Sequence, residues 1–88
     1  MGKPTLVLRS EVIRAARALL RWEQRDLADA SSVSLPTIKR LEAQPGVMAA
    51  HMSTITALRK ALETAGVEFI EENGGGPGVR LRRLHKRR

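Results

Sequence analysis

Lys39 and Arg40 lie just past Pro36 in the string Ser34-Leu35-Pro36-Thr37-Ile38-Lys39-Arg40-Leu41-Glu42. An ammonium and a guanidinium carry donors and no acceptor, so they suit acceptor-rich partners such as guanine O6 and N7 or phosphate oxygens. Leu35 and Pro36 offer apolar contact alone, for instance with a thymine methyl. Ile38 and Leu41 are three apart and turn to the other side of a helix, which leaves Leu35, Pro36, Lys39 and Arg40 facing outward together.

Other chemistries have weaker material. The chain has no Cys, which removes disulfides and cysteine metal sites. His51 and His85 are far apart with no third ligand in view, so ordinary surface histidines are expected and no metal site is assigned. Glu63, Glu68, Glu71 and Glu72 suggest no cleft and read as solvated surface rather than an acid–base pair. Gly74, Gly75 and Gly76 are not followed by Lys-Ser/Thr, so a flexible loop is expected in place of a phosphate cradle. One Trp, one Phe and no Tyr leave little for stacking unpaired bases. No catalytic residue and no cofactor is expected.

Four helices must position the basic face. Ser10 is read as the cap of the first, with Glu11 in its first turn, Ile13, Ala16 and Leu20 as its inner stripe, and Trp22 ending it in the core. Arg14 and Arg21 are left for water or phosphate. The second runs from Gln24 to Ala30, with Leu27 and the small Ala28 turned inward. Ser34 is a good N-cap for the third, and Pro36 in the first turn loses no hydrogen bond. The fourth spans about Ser53 to Ala65, with Ile55, Leu58, Leu62 and Ala65 inward and Gly66 as its stop. Val67–Glu71 and Val79–Arg82 alternate as strands around a Gly-rich turn, which predicts a β-hairpin or β-arm.

The segment resembles the Cro/repressor helix-turn-helix, the xenobiotic-response-element family of bacterial and phage regulators. The matching residues are Gln24, Leu27, Ala28, Val33, Ser34, Thr37, Ile38, Leu41 and Glu42, with Arg17 and Leu20 before them and Ile55, Leu58, Ala61 and Leu62 after. They span residues 10–66, about two-thirds of the chain. The resemblance implies a mainly α, four-helix repressor-like DNA-binding domain, here followed by the C-terminal hairpin. It implies base contact by the third helix, phosphate contact by Gln24, Ser34, Thr37 and Ser53, and an internal ion pair of Arg17 with Glu42. Four departures stand out. Ser32 replaces the usual turn glycine, Glu23 replaces a Ser or Thr cap, the loop from Ala43 to Met52 is longer, and the fifth helix is absent.

Charge sharpens the expectation. Residues 1–79 hold ten basic and nine acidic groups, a net of +1, and residues 80–88 add six basic and no acidic groups, which accounts for the formal +7. Arg82 and Arg83, in this basic stretch, are therefore expected on phosphate. The organisation read from the chain is an N-terminal arm over 1–9, the DNA-binding domain over 10–66, the hairpin over 67–83 and a basic tail over 84–88. Lys3 and Arg9 of the arm could reach the backbone or a minor groove, but a disordered end is the favoured expectation.

A chain of 88 residues makes one small domain in which a dimer helps stability. Val67, Phe69, Val79 and Leu81 share one apolar strand face and are expected to form the homodimer seam, with a competing possibility that they cover the fourth helix of their own chain. No apolar run reaches membrane-spanning length and no signal-peptide pattern opens the chain, so a cytoplasmic protein is expected. The reading favoured is a transcriptional regulator on double-stranded DNA, a repressor. An antitoxin or restriction-controller protein with a toxin or other protein partner is the alternative within the fold, and a protein- or RNA-binding module is the alternative outside it.

Overall fold

A computed structural model describes residues 7–82. Apolar residues at helical spacing, closed by local stop signals, set four helices. Helix α1 (Ser10–Leu20) turns Ile13 and Ala16 fully inward and ends where Arg21 takes a left-handed conformation at φ 58°. Helix α2 (Gln24–Ser31) starts where the Asp26 carboxylate accepts from the Glu23 N–H at 2.8 Å. An acid in the first turn also faces the positive end of the helix dipole, so the departure at Glu23 is compensated three residues on. Helix α3 (Leu35–Ala43) is capped by Ser34, whose Oγ accepts from the Thr37 N–H at 3.3 Å, with Pro36 in the first turn. Helix α4 (Met52–Thr64) buries Ile55, Leu58, Ala61 and Leu62 and stops at Gly66, whose φ of 115° is open to glycine and costly to other residues. None of these helices is long and apolar enough to cross a membrane.

Strands β1 (Val67–Ile70) and β2 (Gly78–Leu81) form an antiparallel hairpin that pairs Val67 with Leu81 and Phe69 with Val79. The expected alternation is present, but its apolar face packs on α1 and α4 of the same chain. Val67 is fully buried there, so it presents no surface to a second subunit. Phe69, Val79 and Leu81 are half-buried against the same core. The structure thus follows the competing possibility for this face: the strands cover the helices of their own chain, the strand that follows α4 directly lying nearest to it. On the outer face Arg80 pairs with Glu68 at 3.1 Å, and this hydrogen bond holds the Glu68 carboxyl below the usual carboxylate range. Arg59 of α4 fastens the strand's far end, bonding Glu63 and Glu71 at 3.1 Å each and lying 4.8 Å from the Phe69 ring centroid.

The N-terminal boundary also moves. Leu8 is 3% exposed and belongs to the core, so the folded unit begins before Ser10. Residues 8–10 pair with the loop before α4: the Ser10 N–H donates to Gly46 O at 2.9 Å and the Met48 N–H donates to Leu8 O at 2.8 Å. The extra loop length is thus used to make a two-stranded clasp around Arg9 and Val47. Ser10 is not the cap. Arg9 holds that position, while Ser10 is fully buried and its hydroxyl donates to Gln44 O at 2.7 Å. Glu11 accepts from the Gly46 N–H, and hydrogen bonds from its own N–H and that of Gly46 hold its carboxyl below the usual range. Trp22 lies just past α1 and is half-buried at the edge of the core. Ala65, expected inside α4, is its C-cap.

The link from α2 to α3 carries the strain its sequence predicts. Ser32 sits at φ 64° and ψ 17°, where a Cβ meets the backbone. Its N–H still closes on Ala28 O at 2.9 Å, and the Ser31 hydroxyl accepts from the Val33 N–H at 3.1 Å. Ser32→Gly is expected to stabilise the fold by roughly 0.5–1 kcal/mol, read as a higher urea midpoint at unchanged slope. A lower midpoint would mean that Ser32 is not strained.

Candidate nucleic-acid interface

A hydrogen-bonded cluster fixes the position of α3. Arg17 of α1 grips Glu42 of α3 with two parallel bonds, Nε to Oε2 at 2.8 Å and Nη2 to Oε1 at 2.7 Å. The two side chains are 17% and 3% exposed, so the expected pair is formed and largely withdrawn from water. The third nitrogen of Arg17 donates to Trp22 O at 3.1 Å, which ties the link into α2 to the same centre. Arg14, expected to face water or phosphate, is exposed and also donates to the main-chain carbonyl of Glu42 at 2.9 Å. Such a bond satisfies a carbonyl orphaned at the C-terminal end of α3.

The cluster has an electrostatic consequence. Glu42 is the one acid of α3, and it is buried against Arg17. The exposed ionic groups of the helix are therefore Lys39 and Arg40 alone. Pro36 is exposed beside them, whereas Leu35 is half-buried and gives only part of its side chain to the surface. The outward face is thus cationic, with a small apolar shoulder, and is held rigidly against α1 and α2.

A groove of about 410 Å³ continues this face, lined by Thr37, Arg40, Ala49, Ala50, His51 and Thr54. It joins the middle of α3 to the first turn of α4, next to the exposed Ser53. His51 and Thr54 were not singled out for contact from sequence. They come into reach because the clasp at residues 46–48 anchors the loop and returns the chain beside α3. No short-range pattern announces that.

The residues expected on phosphate separate into groups. Ser53 and Thr37 border the basic face. Ser34 is exposed, but its hydroxyl is occupied as a cap and also donates to Thr37 Oγ1 at 2.8 Å. Gln24 points inward, its Nε2 donating to Glu42 Oε1 at 3.0 Å. A free lone pair on a buried carboxylate attracts a neutral amide donor, so Gln24 completes the ion-pair cluster in this structure. Arg82 is not brought to the face. Its guanidinium donates to Glu63 O at 3.2 Å, at the C-terminal end of α4. That is about 15 Å of helix away from Ser53, and it is the end whose dipole favours a cation. Arg9 makes a 3.6 Å pair with Glu11 and lies on the clasp. Arg83, the tail over 84–88, Lys3 and His85 lie outside the described residues.

No known family model matches this chain, and no curated protein matches it.

Proposed function

We propose that this chain is a sequence-specific DNA-binding transcriptional regulator of the Cro/repressor type, a repressor that acts in the cytoplasm as a homodimer on an inverted-repeat operator. The observation that carries the reading is the outward face of α3. Pro36, Lys39 and Arg40 are exposed together, the acid of the helix is neutralised by Arg17, and the groove at the start of α4 extends the surface. A helix of this kind fits the major groove, with Lys39 and Arg40 donating to guanine edges and Leu35 and Pro36 in apolar contact. Thr37, Ser53 and the first turn of α4 would then meet phosphate oxygens, which set register rather than sequence. One such helix reads too few bases to find a unique site, and a two-fold pair on half-sites about one helical turn apart doubles the footprint.

A mobility shift against the DNA upstream of its own gene, with excess random duplex as competitor, tests the reading. A shift that random DNA abolishes would favour the protein- or RNA-binding module instead. Arg40→Ala is expected to cost about 1–3 kcal/mol on the best site and to relax preference at one base position. Equal weakening on every sequence would remove Arg40 from base reading and leave it a phosphate contact.

A further inference from the structure

Five large apolar side chains are exposed among the described residues, and three of them, Val7, Val47 and Ile70, line one cleft. The cleft has a volume of about 340 Å³ and opens between the clasp at residues 7–9 and 47 and the loop end of the hairpin. Val7 is 51% and Val47 57% exposed, whereas Ile13, Ile38, Ile55 and Val67 are buried. Apolar surface gathered in one place, rather than scattered, marks a contact surface. Its rim carries both signs in equal number: Arg9 on the clasp, which pairs with Glu11, Arg59 of α4, which pairs with Glu71, and Glu71 and Glu72 beyond β1. The charges balance here and give no cationic face for nucleic acid, so this surface serves a different partner from the basic face of α3.

We infer that this cleft is where a second copy of the chain docks, in a two-fold contact that inserts the Val47 and Ile70 edges of each copy against the other. The inference deepens the homodimer reading and rests on it. In a two-fold interface each patch must complement itself, which a single-sign rim cannot do and a rim of Arg9 and Arg59 with Glu71 and Glu72 can. The hairpin also has no third strand, so a strand edge is open beside the apolar residues. Of the seam expected from sequence, Val67, Val79 and Leu81 pack on the chain's own core, while Phe69 packs there and also lines this cleft. The cleft is the apolar surface that remains on the same element.

The test uses the full chain. Sedimentation velocity compares the wild type with Val47→Glu, Ile70→Glu and, as control, Met52→Glu. Met52 is 64% exposed but lies at the start of α4, away from the cleft. Val47→Glu and Ile70→Glu are expected to raise the dimer dissociation constant at least about tenfold by burying an unpaired carboxylate, and Met52→Glu to leave it unchanged. A monomeric wild type, or a dimer indifferent to both cleft variants, overturns the inference. Since the chain has no cysteine, Val47→Cys provides a single labelling site that avoids a buried charge. Donor- and acceptor-labelled copies should show energy transfer on mixing, and its absence in a mixed dimer population also overturns the docking. A dimer that depends on the cleft but shifts no DNA would sink the regulator reading and leave this inference standing. Specific DNA binding by a protein whose dimer ignores the cleft would do the reverse.

Discussion

Glu42→Ala should destabilise the domain by about 3–5 kcal/mol, because it leaves a largely buried guanidinium without its counter-charge. The geometry sets this magnitude. Glu42 is 3% exposed and accepts from Arg17 Nε, Arg17 Nη2 and Gln24 Nε2, all within 3.0 Å. Without the carboxylate, Arg17 keeps only the bond to Trp22 O, and little water reaches the site to replace what is lost. A solvated surface pair would lose under about 1 kcal/mol on the same change. Thermal and urea unfolding of Arg17→Met, Glu42→Ala and the double variant decide between the two. The double variant should recover part of the loss, since two neutral side chains leave no charge stranded. Small, additive effects would show that the pair is not a structural centre. DNA affinity supplies a second readout, because α3 is held through this cluster and should lose its orientation with it.

Ending the chain at Gly66 should abolish cooperative folding rather than merely dissociate a dimer. The hairpin delivers Val67, fully buried, together with Phe69, Val79 and Leu81 against the core. Burying a Val or Phe side chain stabilises by about 1.5–3 kcal/mol. A domain of this size has about 5–15 kcal/mol in total, so losing this cover removes a large share of it. The hairpin also brings the Arg82 guanidinium to the C-terminal carbonyls of α4 and Glu71 to Arg59. The expected result is a broad, shallow heat transition in the truncated chain, with dye-accessible apolar surface. A sharp transition close to that of the full chain would show that residues 10–66 fold alone, and the hairpin would then return as a candidate seam. Val67→Ala gives a milder check: it should lower stability without changing the oligomeric state.

Much of the local structure was legible in the residues. Ser34 with Pro36 announces the start of α3, Gly66 announces the end of α4, and the alternation from Val67 announces a strand, because caps, stops and periodicity act over a few residues. Arg17 with Glu42 was legible only through the resemblance, since nothing short-range pairs positions 25 apart in sequence. The candidate site was legible in part for the same reason. Pro36, Lys39 and Arg40 share a face by helical spacing, and they are exposed together.

What the sequence by itself determined is therefore the set of elements, the strained Ser32 link and the polar face of α3. Only the tertiary structure decided where unattached groups found partners. Ser10 looked like a cap and became a buried donor to Gln44, because the clasp around Gly46 occupies the end of α1. Gln24 looked like a phosphate ligand and turned to Glu42, because a buried carboxylate recruits nearby donors. Arg82 looked like part of a DNA-facing tail and went to the far end of α4. The inner face of the hairpin looked like a subunit seam and closed over its own helices. Periodicity states that a face is apolar, and charge states that a side chain needs a partner. Which surface covers the face, and which group answers the charge, depends on what the chain's own topology brings within reach.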